Sequence, residues 1–172
     1  MTARAFIAVG SNINPEENVH AALLALARQE QIVAVSTVCQ TEPEGRTDQP
    51  DFYNCVVEIQ TEKTPAELKH NVLQRIEADL GRRRTSDKFA SRTIDLDLIL
   101  YDQLVLHSDS LVLPDPDIVF RPFLAAGLSE LAPDLTLPGT TSRIVDLAAR
   151  FLPDKIRPLK NYTELLRRDI RS

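Results

Sequence analysis

Asp95 and Asp97 stand two residues apart in SRTIDLDLILY, a run otherwise rich in aliphatic side chains. On a β-strand successive side chains turn to opposite faces. The two carboxylates are therefore expected to share one face, with Ile94, Leu96, Leu98 and Leu100 on the other. Paired carboxylates are hard oxygen ligands of the kind that suits Mg²⁺, an ion that keeps several waters and completes its shell with substrate phosphates. Just upstream, GRRRTSDKFASR gathers Arg82, Arg83, Arg84, Lys88 and Arg92, and guanidinium groups pair bidentately with phosphate oxygens. The spacing suits metal-assisted phosphoryl transfer. It also suits a solvent-facing strand edge whose aspartates pair with nearby arginines, because D-x-D alone is a weak motif. Nothing resembles G-x-x-x-x-G-K-[ST], which argues against a P-loop site.

The elements that would hold these residues follow from periodicity. AFIAVG reads as a first strand. Asn14 is placed to cap the next helix and Pro15 suits its first turn, with Val19, Ala22, Leu23 and Leu26 as the buried face and an end near Gln29. IVAVSTVC and NCVVEIQ read as two strands separated by the long polar loop TEPEGRTDQPDFY, a length more often functional than idle. Thr64 and Glu67 form a capping-box pattern with Pro65 at the first helical position. Leu68, Val72, Ile76 and Leu80 make the stripe, and Gly81 the stop. After the aspartate strand the pattern predicts a hairpin around Asp102 and Gln103, a helix over 121–131, another over 142–151, and a charged C-terminal extension over about 153–172 that has room for a short helix. Strand, helix, strand, strand, helix, strand is the order of an α+β, ferredoxin-like split βαβ, an antiparallel sheet flanked by helices.

Composition sets bounds. At 172 residues, 43% hydrophobic and 26% charged, the chain reads as one domain over 1–172. A net charge of −5 argues against nucleic-acid binding, which needs a cationic surface. MTARAFIAVGSN has no long apolar core before a cleavage-like site, and no segment approaches the roughly 20 apolar residues of a membrane span, so a soluble, cytoplasmic protein is expected. Cys39 and Cys55 sit in apolar contexts without metal-ligand spacing and read as buried thiols.

VGSN, DQPDFYN, QRIEADLGRRR and SRTIDLDLILY, in that order, resemble the 6-hydroxymethyl-7,8-dihydropterin pyrophosphokinase family of folate biosynthesis over roughly residues 5–135. The resemblance implies transfer of pyrophosphate from ATP, the co-substrate, to the hydroxymethyl oxygen of the reduced pterin, with AMP released. It implies that Asp95 and Asp97 hold two Mg²⁺ ions and that Arg82 and Arg92 are the mobile catalytic arginines that close over the phosphates. Gln74, Glu77, Arg84, Leu98, Asp115 and Arg121 match nucleotide-binding positions, Glu77 as a supporting polar group. Phe52 and Phe123 match the aromatic pair that sandwiches the pterin, with Thr41, Pro43 and Asn54 in the same set. Stacking suits a flat heterocycle, and these are two of only nine aromatic residues. Read without the family, Phe123 is a core residue of its helix and Asn54 a strand-entry residue. The length is that of the stand-alone form.

Departures from the family pattern are local. Asp115 replaces a histidine, and a carboxylate near a triphosphate repels it unless a cation intervenes. Phe89 stands where a tryptophan is common, and Ala90-Ser91 where Gly-Pro is frequent. His20, His70 and His107 match no functional position. Two other classes stay open: a magnesium-dependent transferase with another acceptor, and a non-catalytic pterin- or nucleotide-binding homologue.

Overall fold

The computed structural model describes residues 1–45, 48–83, 85–87, 89–151 and 156–171. Strand β1 (Ala3–Ser11) leads into helix α1 (Pro15–Gln29), then β2 (Gln31–Val35), β3 (Cys39–Thr41) and β4 (Phe52–Thr61). A continuous helical segment follows as α2 (Pro65–Glu67), a wider π-helical turn over Leu68–Leu73, and α3 (Gln74–Asp79), and returns the chain to β5 (Asp95–Tyr101). The sheet runs β5-β1-β4-β3-β8, where β8 is Arg157–Pro158, with β2 also paired to β4. The pairs joining β5, β1, β4, β2, β3 and β8 are all antiparallel. β4 thus lies between the strands that flank α1, and β1 between those that flank α2–α3. This is the split βαβ arrangement expected from the order of elements.

Two cores cover the two faces of the sheet. On one, Ile7, Val9, Val57 and Ile59 meet Leu23 and Leu26 of α1, Leu68, Leu73 and Ile76 of the second helical segment, and Leu96 and Leu98 of β5. On the other, Phe6, Ala8, Val56, Ile99 and Leu100 meet α4 (Pro122–Leu131) and α5 (Ile144–Ala148). Leu100 is therefore not on the face of Leu96 and Leu98. The β1–β5 register shifts between Phe6 and Ile7, placing one extra residue in β5, and the bulge inverts the alternation beyond it.

The capping box is present: Thr64 N–H donates to Glu67 at 2.8 Å, and Glu67 N–H to Thr64 Oγ1 at 3.2 Å. The wider turn brings Leu73 as well as Val72 into the core and leaves Glu77, four residues on from Leu73, buried beside Ile76. Several local expectations need correction. Asn14 makes no side-chain cap. It sits in the left-handed region at φ 41°, and Asn18 Nδ2 ties down the Ile13 carbonyl instead. IVAVSTVC is two strands, broken where Ser36 exchanges hydrogen bonds with the Val56 backbone through both its N–H and its Oγ. The turn at Asp102 exists, with φ 46°, but makes no hairpin with β5. The chain leaves to pair β6 (Leu106–His107) with β7 (Val112–Leu113). The helix expected over 142–151 covers only 144–148. The C-terminal segment joins the fold through β8, which pairs with β3, and α6 (Lys160–Arg171), which buries Leu166 in the first core. Cys39 and Cys55 are buried free thiols, pushed up to about 11 and about 12 chiefly by burial.

Candidate active site

Antiparallel register lines up three strands across the second face of the sheet. Gly10 of β1 is opposite both Asp95 of β5 and Asn54 of β4, and Ala8 is opposite Asp97 and Val56. The small residues of β1 leave the floor low between the carboxylates and the amide. A Cβ at Gly10 would lie 2.7 Å from Asn54 Oδ1. Above this floor opens a cleft of about 980 Å³, within the range of small-molecule sites. Its walls come from the β3–β4 loop, the α3–β5 loop, and the stretch from Asp115 to Phe123.

At the β5 end a chain of charges runs from the interior outward. Glu77, buried behind the strand, accepts from Leu96 N–H at 2.9 Å and pairs with Arg82. Arg82 Nη1 also meets Asp95 Oδ1 at 2.6 Å, and Arg92 Nη1 meets Asp95 Oδ2 at 2.9 Å. Burial would raise the Asp95 carboxyl, but the two guanidiniums outweigh it and hold it below the usual carboxylate range. Asp97 lies on the open floor, meeting solvent in the cavity while protein encloses its other sides. Burial, then the negative charges of Asp95, Glu77 and Asp115, push its carboxyl up to about 8.

At the other end Asn54 is buried, and its Nδ2 donates to Thr41 Oγ1 at 2.6 Å. Phe52 projects beside it, with the Arg92 guanidinium 5.8 Å from its ring centre. Phe123, in the first turn of α4, lines the facing wall, and Pro43 lies near the β3 end. Arg121 precedes α4 and pairs with Asp117 at 3.4 Å and Glu44 at 3.6 Å, the latter across the cleft. Asp115 also lines the cleft, its carboxyl raised mainly by burial.

The cleft therefore gathers Thr41, Pro43, Phe52, Asn54, Arg82, Arg92, Asp95, Asp97, Asp115, Arg121 and Phe123. Three of the residues matched to nucleotide positions lie outside its lining, two of them, Leu98 and Gln74, against expectation and Glu77 in the supporting place expected of it. The Leu98 side chain is in the core on the opposite face from the aspartates, because alternation along β5 sends it there. The side chain of Gln74 bonds His70 Nδ1 at 3.0 Å. Glu77 stands behind Arg82 as support. Arg84 falls outside the described residues. None of the three histidines lines the cleft, and His20 pairs with Asp169 of α6 at 2.9 Å.

Several residues in or behind the cleft have no assigned role in the sequence reading. Asn12 receives Arg92 N–H at 2.9 Å on Oδ1 and donates to Gln49 Oε1 at 3.1 Å and Ser91 Oγ at 3.3 Å, tying two loops together. Gln49 in turn donates to the Phe89 carbonyl at 2.5 Å. A polar Ser-Asn pair closing an apolar strand was the available signal. Gly10 is visible only once register is known. Ile156 and Arg157 enter from the C-terminal segment.

The family model of 7,8-dihydro-6-hydroxymethylpterin-pyrophosphokinase (HPPK) matches residues 6–133. The chain belongs to this family. It is 39% identical over 155 residues to the 2-amino-4-hydroxy-6-hydroxymethyldihydropteridine pyrophosphokinase of Haemophilus influenzae, covering 88% of this chain and 95% of that one. To the enzyme of the same name from Pseudomonas aeruginosa it is 38% identical over 141 residues, covering 80% and 86%. Among solved structures, wild-type Plasmodium falciparum HPPK-DHPS with pteroate superposes with a TM-score of 0.68 at 13% identity, over 87% of this chain and 42% of that one. The HPPK member described here thus spans less than half of that longer protein, and the likeness to it is one of fold.

Proposed function

We propose that this HPPK-family protein transfers the pyrophosphoryl group of ATP to the hydroxymethyl oxygen of 6-hydroxymethyl-7,8-dihydropterin in folate biosynthesis, and that residues 1–172 act as one pyrophosphokinase domain. The observation that carries this reading is the row Asp95–Gly10–Asn54 across three adjacent strands. It sets a phosphate-handling end and a heterocycle-reading end on one floor, two strand spacings or about 10 Å apart. The hydroxymethyl oxygen attacks the β-phosphorus, the bond from that phosphorus to the α–β bridging oxygen breaks, AMP leaves with that oxygen, and the hydroxyl proton is released.

The pterin fits between Phe52 and Phe123, with Asn54 and Thr41 at its polar edge. Arg82 and Arg92 are already at the phosphate end, where charge spreads over the transferring group, and Arg121 faces the nucleotide. The donor set fits Mg²⁺, two ions with the nucleotide. Asp95 and Asp97 open onto the cleft, the crowding that raises Asp97 is what a cation relieves, and no group of three His, Cys, Asp or Glu among the described residues is placed to coordinate an ion alone. The remaining ligands would be water and phosphate, as this ion prefers. Bound there, it neutralises charge around the β-phosphorus. The described cleft lining carries seven carboxylates and four arginines, so ATP enters favourably only with its metal. No helix among the described residues is long and apolar enough to cross a membrane, and a cytoplasmic location, where ATP is supplied, goes with this reading.

The test is AMP formation from ATP by the purified protein, followed by chromatography. AMP that appears only with both pterin and Mg²⁺ supports the assignment. ATP and pterin returned unchanged by folded protein would overturn it in favour of a binding protein, and turnover with another hydroxyl acceptor alone would redirect it to a different transferase.

A further inference from the structure

Asp115 occupies the cleft with no task in the reaction just described. Its position is fixed twice: its N–H donates to the Ile99 carbonyl at 2.9 Å, and its Oδ1 accepts from Asp117 N–H at 2.9 Å at the head of the turn Pro116–Val119. Arg121, the nearby cation, pairs with Asp117 and Glu44, and no ion pair reaches Asp115 among the described residues. A carboxylate so placed repels phosphate, and it does not complete a three-carboxylate metal group with Asp95 and Asp97. What remains open to it is to accept a hydrogen bond from a neutral donor. ATP has such donors in two places, the ribose hydroxyls and the adenine amine. The bond to Ile99 ties Asp115 to β5 two residues beyond Asp97, on the cleft face that also carries the aspartates, and this neighbourhood puts it toward the phosphate end of the proposed nucleotide site. From there the ribose is the first donor-bearing group and the amine the last.

We propose that Asp115 reads the sugar of the nucleotide: its second carboxylate oxygen, Oδ2, accepts a hydrogen bond from a ribose hydroxyl and so favours ribonucleoside over deoxyribonucleoside triphosphates. The inference rests on the pyrophosphokinase reading for its substrate. Carboxylate recognition of ribose hydroxyls is an established solution in other nucleotide folds. Discrimination follows because a nucleotide lacking the hydroxyl leaves the half-buried carboxylate without its donor.

The experiment compares ATP, 2′-deoxyATP, 3′-deoxyATP and inosine triphosphate, which lacks the adenine amine, on wild type and Asp115→Ser. Serine keeps a capping oxygen for the turn but has no second oxygen for the sugar. Wild type is expected to lose at least about tenfold in kcat/KM with one of the deoxy nucleotides, and Asp115→Ser to bring the ratio within about twofold. Equal use of the three sugars by wild type, or an undiminished ratio in Asp115→Ser, overturns the proposal. So does a variant that loses only its preference for ATP over inosine triphosphate, because the contact would then be to the base. Calorimetric Kd values for the same nucleotides with Mg²⁺ and no pterin give the sugar ratio without turnover. Failure of the pyrophosphokinase reading and failure of the ribose contact are thereby read separately.

Discussion

Gly10→Ala is expected to damage pterin recognition while sparing the fold. The new Cβ would stand 2.7 Å from Asn54 Oδ1, closer than such atoms approach. Asn54 is the group that must yield, but it is 6% exposed and tethered to Thr41 through a 2.6 Å hydrogen bond. Turning its amide aside forfeits about 1 kcal/mol for that bond and about 1 kcal/mol for an off-rotamer side chain. Those terms, about 2 kcal/mol together, lower stability without unmaking the fold. The kinetic loss is that of the displaced amide's hydrogen bond to the pterin, about 1.4 kcal/mol or roughly tenfold in kcat/KM, and it should appear when the pterin is varied, with the KM for ATP changed less than about threefold. Steady-state AMP formation with each substrate varied in turn measures this, and circular dichroism checks the fold. The decisive comparison is a double-mutant cycle with Asn54→Ala. If the glycine acts only by leaving room for the amide, Gly10→Ala should cost almost nothing in that background. An equal penalty in both backgrounds would refute the reasoning.

Three more outcomes follow from the charged end of the cleft. Asp97 binds its proton more tightly folded than unfolded, so metal-free stability should fall as pH rises from about 4 to about 8. Because Asp97 meets solvent in the cleft, the loss is discounted to about 1–2 kcal/mol. Urea midpoints at pH 5 and pH 8 should show this loss in wild type and little of it in Asp97→Asn. Glu77→Ala strands the Leu96 N–H and removes one carboxylate from Arg82, so a loss of about 2–4 kcal/mol is expected, whereas Glu77→Gln keeps an acceptor for Leu96 and should melt higher than Glu77→Ala. Arg92→Ala removes a guanidinium from Asp95 and from the phosphate end, and kcat should drop by about 100-fold or more with unchanged secondary structure.

Much of the fold was legible because local rules and tertiary packing agree. The box Thr64–Glu67, the apolar stripe of α1 and the order of strands and helices all point one way. Leu100 was misplaced because hydropathy cannot reveal a bulge: Leu98, Ile99 and Leu100 are all buried, and only register with β1 says on which face. IVAVSTVC looks like one strand because its break at Ser36 is repaired by hydrogen bonds to Val56, a partner distant in sequence. In the site, Asp95 and Asp97 announced themselves by spacing, and Phe52, Asn54 and Phe123 through family resemblance. Gly10 and Asn12 stand in the VGSN motif, but their roles were not legible there, because one acts by the absence of a side chain and the other by bridging loops.

Two arginines of the cleft, Arg82 and Arg92, are engaged in advance. Arg82 lies between Glu77 and Asp95, and Arg92 sits on Asp95. Their charge is neutralised within the protein, so few mobile counterions condense there. On the proposed function, nucleotide binding would be a change of partners for Arg82 and Arg92, carboxylate for phosphate, which would leave Asp95 free to hold a cation that the nucleotide brings. Such an exchange liberates few ions into solution, and nucleotide affinity should respond only weakly to added monovalent salt.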